Sequence, residues 1–166
     1  MNEAARGLLP VQPTIAFDSP STVDPTRCPP GKAVARLQIL DVPARLRGDA
    51  DDVIEVADGW THDVKQAFAD RVLKLAYRHV DNLEDAIIDR HLIGPDDLAR
   101  YNPNCGPGDP YGGSHDLAQS YVFRPLPGQP SHQTVLPNLF MVGAATWPGH
   151  GVNGSSGYIV AKRLLA

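Results

Sequence analysis

Leu136-Pro137-Asn138-Leu139-Phe140-Met141-Val142-Gly143-Ala144-Ala145-Thr146-Trp147-Pro148-Gly149-His150-Gly151-Val152-Asn153-Gly154 is the stretch on which the reading of this chain turns. Pro137-Asn138 sets a turn. Leu139 to Val142 is a continuous apolar run, the pattern of a strand buried on both faces. Gly143 to Gly157 is glycine-rich, and a helix is expected to begin near Gly154 to Ser156. Its continuation from Tyr158 to Ala166 places Ile159, Val160, Leu164 and Leu165 as apolar positions. Lys162 and Arg163 fall near its end, where the helix dipole favours cations.

Within the loop, Gly149-His150-Gly151-Val152-Asn153-Gly154 matches G-x-G-x-x-G, the pattern of a dinucleotide turn. Two features oppose that assignment. Ala144 to Pro148 intervene between strand and first glycine, and the acidic residue expected about 20 positions onward has no place before Ala166. A P-loop is excluded because Ser155 stands where the phosphate-binding lysine belongs. A nucleophile elbow fails because Gly154-Ser155-Ser156-Gly157 is followed by Tyr158, where glycine is required. Two readings stay open on spacing alone. One is a glycine-rich connection with no ligand. The other is a loop whose glycines admit a flat ligand, with the helix N-terminus behind it favouring negative charge on that ligand.

Outward from this segment the chain is less regular. Fifteen glycines and sixteen prolines in 166 residues require many turns and irregular connections. Residues 1–14 read as an extended arm. Ile15-Ala16-Phe17 and Ala33 to Leu40 are strand candidates, and Val42 to Ala57 reads as loop, with Asp49-Ala50-Asp51-Asp52 a solvated turn. The longest helix is predicted to start after Thr61 as N-cap, with Val64, Phe68, Val72, Leu75 and Ala76 on one stripe. Asn82 to Leu92 has room for a further turn or strand, and Pro95 opens a short helix. Tyr101 to Ser114, with Gly106, Gly108, Gly112 and Gly113, reads as a close-approach loop.

A net charge of −4 argues against nucleic acid as a partner. No apolar run reaches the roughly 18–20 residues that span a bilayer. Cys28 and Cys105 are isolated, so neither a zinc site nor a disulfide framework is indicated, and a reduced, cytoplasmic setting is expected. His62, His79, His91 and His132 have no partner at metal-ligand spacing.

The quoted stretch resembles the C-terminal flavin motif of the phytoene desaturase family, FAD-dependent enzymes related to carotenoid isomerases and amine oxidases. In that family a strand is followed by Gly-Ala-x-Thr, a His-Pro-Gly-Gly-Gly-Val stretch, then glycine and a helix. This chain departs at Trp147, His150 and Asn153, where the family has histidine, glycine or alanine, and proline or methionine. Weaker similarity runs through Asp18 to Pro25, Pro30-Gly31-Lys32, Ile93 to Leu98, and Arg124-Pro125-Leu126-Pro127-Gly128.

The resemblance implies a mixed α/β chain, the C-terminal part of a two-domain FAD-binding fold of the glutathione-reductase-like Rossmann type. Residues 15–135 then form part of a substrate-binding domain, and residues 136–166 the strand, loop and helix of the FAD-binding domain. It implies FAD held by Gly143, Ala144, Thr146, Pro148, Gly149, Gly151, Val152, Asn153 and Gly154. His150 and His115 are the acid/base candidates, with Tyr111 and Tyr121 as pocket-lining aromatics. The family's N-terminal G-x-G-x-x-G unit has no counterpart before Ile15. The expectation is therefore a subunit of a split flavin-dependent oxidoreductase, completed by a companion chain that carries that unit, acting on a small apolar substrate. The alternatives are a non-catalytic, stabilising partner of a flavoenzyme, a ligand-free relic, or a piece of a longer chain.

Overall fold

The structure, a computed structural model, describes residues 3–114, 117–120, 123–126, 132–151 and 153–166. It is mixed α/β with two small two-stranded sheets. It divides into two compact units, Met1–Asp96 and Asp97–Ala166.

The first unit is organised by helix α1 (His62–Ala76). Thr61 starts it as expected: its side-chain oxygen accepts the Val64 amide at 3.3 Å, satisfying a donor that the helix itself leaves open. The apolar stripe then turns inward, with Val64, Phe68, Val72 and Ala76 buried. Phe68 meets Trp60 edge-on with ring centroids 6.1 Å apart, and the Trp60 indole N–H donates to the Pro43 carbonyl at 2.9 Å.

Against α1 pack residues from both sheets. Strands β2 (Ile15–Asp18) and β3 (Arg36–Ile39) pair antiparallel, Ile15 opposite Ile39 and Asp18 opposite Arg36. Ile15, Leu37 and Ile39 point into the core. β3 is shorter than the Ala33 to Leu40 run expected for it.

Three expectations are corrected here. Residues 1–14 are not simply an extended arm: they include a 3-10 turn at Ala4–Arg6 and strand β1 (Leu8–Leu9). Leu9 is fully buried in the core. β1 pairs in parallel with β4 (Gly48–Asp49), inside the segment expected to be loop. Asp49 is not in a solvated turn. It is buried, and its carboxylate accepts both terminal nitrogens of Arg71 at 2.6 Å.

Asn82 to Leu92 holds the short helix α2 (Leu83–Ala86). Helix α3 (Pro95–Tyr101) begins at the proline expected to open it and leads into the second unit.

Among its described residues the second unit has little regular structure between α3 and its last helix. Short 3-10 turns occur at Pro103–Cys105 and Leu117–Gln119. The turn at Pro137-Asn138 forms, with Asn138 at φ 61°, a left-handed position that asparagine tolerates. It joins Gln133 to Phe140 through one antiparallel bridge.

The strand expected at Leu139 to Val142 is reduced to that bridge. Leu139, Met141 and Val142 are 49%, 43% and 58% exposed. The physical reason is that a strand buried on both faces needs a ladder on each side and layers above and below, and among the described residues the second unit offers one bridging partner. Helix α4 (Ser155–Leu164) follows the glycine loop, starting within the range its sequence indicated. Among the described residues no helix is long and apolar enough to cross a membrane.

Candidate functional site

The glycine loop lies wholly in the second unit. Gly143 sits at φ 117°, Gly149 at φ 109° and Gly151 at φ 129°, a region that residues with a Cβ rarely enter. A Cβ at Gly143, Gly149, Gly154 or Gly157 would meet nothing within 4 Å. Among the described residues these glycines therefore border open space, and no packing there explains their lack of a side chain.

Thr146 is the opposite case. It is 1% exposed, and both its amide (3.1 Å) and its hydroxyl (2.9 Å) donate to the Gly143 carbonyl. Its side chain shapes the turn from inside. The Gly149 amide donates to the Thr146 carbonyl at 2.7 Å, continuing the turn into the glycines. Pro148, next to the turn, follows a cis Trp147–Pro148 peptide bond.

The loop is tied back to the helix it feeds. The Gly143 amide donates to Ser156 Oγ at 3.0 Å. Asn153 Oδ1 accepts the Ser155 amide at 3.0 Å, and the Tyr158 amide donates to the Gly154 carbonyl at 2.9 Å. Gly154 is the N-cap and has no side chain to satisfy the first turn. The Ser156 and Gly157 amides have no partner among the described residues, which leaves donors and the positive dipole end facing the loop. A flat, electron-rich ring that gains negative charge fits this donor set and this side-chain-free surface.

A second loop stands beside the first. The Asp109 carboxylate folds it by accepting the Tyr111 amide at 2.8 Å and the Gly113 amide at 2.5 Å. The Tyr111 ring then meets the His150 ring with centroids 4.6 Å apart and planes tilted by 60°. Two residues singled out separately from the sequence are thus brought together. His115, Tyr121 and Val152 lie outside the described residues.

Two residues with no assigned role matter in the geometry. Arg124 is 3% exposed and donates to four backbone carbonyls: Gln119 at 2.5 Å, Ala144 at 2.6 Å, Ser114 at 2.7 Å and Gly112 at 3.4 Å. Its sequence signal was only the Arg-Pro step that resembles the family. His132 is buried, donates from Nδ1 to the Met141 carbonyl at 3.1 Å and accepts, through its own carbonyl, the Met141 amide at 2.7 Å. Its Nε2 is buried without a partner among the described residues. Among those residues no cluster of His, Cys, Asp and Glu is suited to a metal ion.

The chain is 31% identical over 156 residues to the mouse (Mus musculus) pyridine nucleotide-disulfide oxidoreductase domain-containing protein 2, covering 93% of this chain and 25% of that protein. It is 31% identical over 145 residues to the lycopene-forming phytoene desaturase of Paracoccus sp., covering 87% of this chain and 26% of that protein. Over most of its length the chain is a homologue of these oxidoreductases and desaturases.

Another homologue is a limonene dehydrogenase component of Castellaniella defragrans, 30% identical over 147 residues, 86% of this chain and 25% of that protein. The chain spans about a quarter of the length of the curated homologues it matches. No protein-family model and no solved structure matches it. The resemblance to the phytoene desaturase family that the Leu136 to Gly154 stretch suggested is thereby established at the level of homology.

Proposed function

We propose that this chain supplies the C-terminal part of the flavin site of an FAD-dependent dehydrogenase or desaturase. The observation that carries the reading is the open glycine cradle running into a helix whose first-turn amides of Ser156 and Gly157 are without partners among the described residues. In this reading Gly143, Ala144, Pro148, Gly149, Gly151, Val152, Asn153 and Gly154 border the cofactor, and Thr146 holds the turn that presents them. A flavin bound here supplies the hydride acceptor. The chain's own residues provide a surface free of side chains and a dipole that favours negative charge. His150, backed by Tyr111, is positioned as the proton-handling group, with His115 as the second candidate.

The substrate in this reading is a small apolar molecule: the names of two homologues refer to phytoene and limonene, both hydrocarbons. Residues 15–135 contribute part of the substrate domain, and residues 136–166 belong to the cofactor domain. A companion chain carries the G-x-G-x-x-G unit that grips the rest of FAD, and the assembly works in the cytoplasm. The exposed Leu139, Met141 and Val142 support this partnership, because their side chains form an apolar edge open to a partner.

The test is reconstitution. The chain purified alone is expected to be colourless, and to retain FAD when co-expressed with a companion bearing the dinucleotide unit. Stoichiometric FAD on the lone chain would overturn the split site. No flavin with any such companion would overturn the flavin assignment.

A further inference from the structure

Arg124 has a geometry that asks for a purpose. A guanidinium is a planar fork of five donors that stays charged at any physiological pH. Burying one is costly unless its donors are met. Here the four carbonyl acceptors come from three separate places: Gln119, the Asp109–Ser114 loop through Gly112 and Ser114, and the Gly143–Thr146 turn through Ala144. One side chain thus fastens a neighbouring loop to the turn that opens the glycine cradle.

Two further observations point to the same junction. Gly112 lies so close to that turn that a Cβ would come within 2.7 Å of the Ala145 amide nitrogen and 2.9 Å of the Ala144 carbonyl carbon, and its φ is +77°. Only glycine allows both the backbone angle and the approach. Beyond the junction, the Tyr111 ring rests on the ring of His150, within the glycine loop. Asp109 fixes the direction of that approach through the amides of Tyr111 and Gly113.

We propose that Arg124 is a positioning residue of the flavin site: its guanidinium locks the Asp109–Ser114 loop onto the Gly143–Thr146 turn and so sets Tyr111 against His150 as a fixed wall of that site. The proposal rests on the flavin reading above for what the wall faces, but the lock itself is a property of this chain. Lysine in place of Arg124 keeps the charge but gathers its three donors on one nitrogen, so it cannot span the four carbonyls that the three nitrogens of the guanidinium meet.

The experiment separates the two parts. Hydrogen exchange of the full chain reads the amides of Gly113 and Thr146, which close the two loops, with the α1 amides as an internal control for the first unit. In Arg124→Lys and Arg124→Gln both amides are expected to exchange faster by about tenfold or more while α1 stays protected, because hydrogen bonds from a charged group have been lost. Unchanged exchange at Gly113 and Thr146 would overturn the lock.

In the assembly with its companion, Arg124→Lys is expected to weaken FAD retention and change the visible circular dichroism of the bound flavin. Tyr111→Ala, which leaves Arg124 in place, is expected to keep both amides slow and still alter that spectrum. An unaltered flavin spectrum in Tyr111→Ala would overturn the wall. Wild-type chain that takes up no FAD with any companion would instead sink the flavin reading, while exchange still decides the lock.

Discussion

Arg71, in the third turn of α1, donates both terminal nitrogens to the buried carboxylate of Asp49, each at 2.6 Å. The same carboxylate accepts the amides of Val53 and Ile54 at 3.0 and 2.9 Å, and Arg71 also donates to the Pro10 carbonyl at 3.2 Å. Helix, short parallel sheet and the chain around Pro10 are therefore joined at one charged pair. Removing one partner leaves the other buried and uncompensated. Asp49→Asn is expected to destabilise the first unit by about 3 kcal/mol, read as a lower urea midpoint for loss of α1 amide protection.

Acid should act through the same group. Burial by itself pushes the Asp49 carboxyl up, but the Arg71 hydrogen bonds and the Ile54 and Val53 amides outweigh it and hold the group at about 2, below its ordinary 3.8. A depressed folded-state value means that the stabilisation is fully present above the ordinary value. It is lost as pH falls from there through about 2. The first unit should lose about 2 kcal/mol across that window, and Asp49→Asn should lack this component. Parallel pH titrations of wild type and variant, with equal slopes, would contradict the assignment.

Thr61→Ala should cost about 1 kcal/mol through the lost cap of α1, and Thr61→Ser should restore most of it. The readout is thermal unfolding of the first unit. Equal melting of all three chains would show that the 3.3 Å contact with the Val64 amide contributes nothing.

Gly157 offers a test with opposite signs. It lies in the first turn of α4, where a Cβ would meet open space. Gly157→Ala should therefore stabilise the helix by about 0.5–1 kcal/mol, since it removes backbone freedom and meets no clash. If a flat cofactor approaches that helix end, the same methyl group should reduce FAD retention in the assembled enzyme. A rise in both stability and retention would remove the close-approach argument.

The apolar edge predicts behaviour in solution. Expressed alone, the chain should self-associate, and Met141→Lys or Val142→Lys should render it monodisperse by sedimentation while abolishing capture by the companion. A wild-type chain that sediments as a monomer, and variants that still capture the companion, would count against the partnership.

The sequence made α1 legible because a long amphipathic stripe and a threonine cap are local signals, and α4 because glycine gives way to helix formers. The pairing of Leu8–Leu9 with Gly48–Asp49 was not legible: two-residue strands have no periodicity, and their partners are chosen by the fold. Asp49 read as one of several acidic residues in a turn because its partner Arg71 is remote in sequence. At the candidate site, the glycines and the helix start could be read directly. The inward turn of Thr146 and the four carbonyls around Arg124 could not, since both depend on where separate loops converge. Leu139 to Val142 shows a different limit, because its composition describes an environment that the second unit does not itself provide.

In the second unit, Val160 is the buried hydrophobic residue among the described ones, whereas Arg124, His132 and Thr146 are buried polar or charged residues. Such a unit is held by hydrogen bonds more than by water's exclusion from hydrocarbon, and that difference has a calorimetric signature. Heat-capacity change tracks apolar surface leaving or entering water. Melting of the second unit alone should therefore show a small increment and a shallow temperature dependence. The missing increment should reappear when Leu139, Met141 and Val142 are covered, as a large negative heat capacity of association.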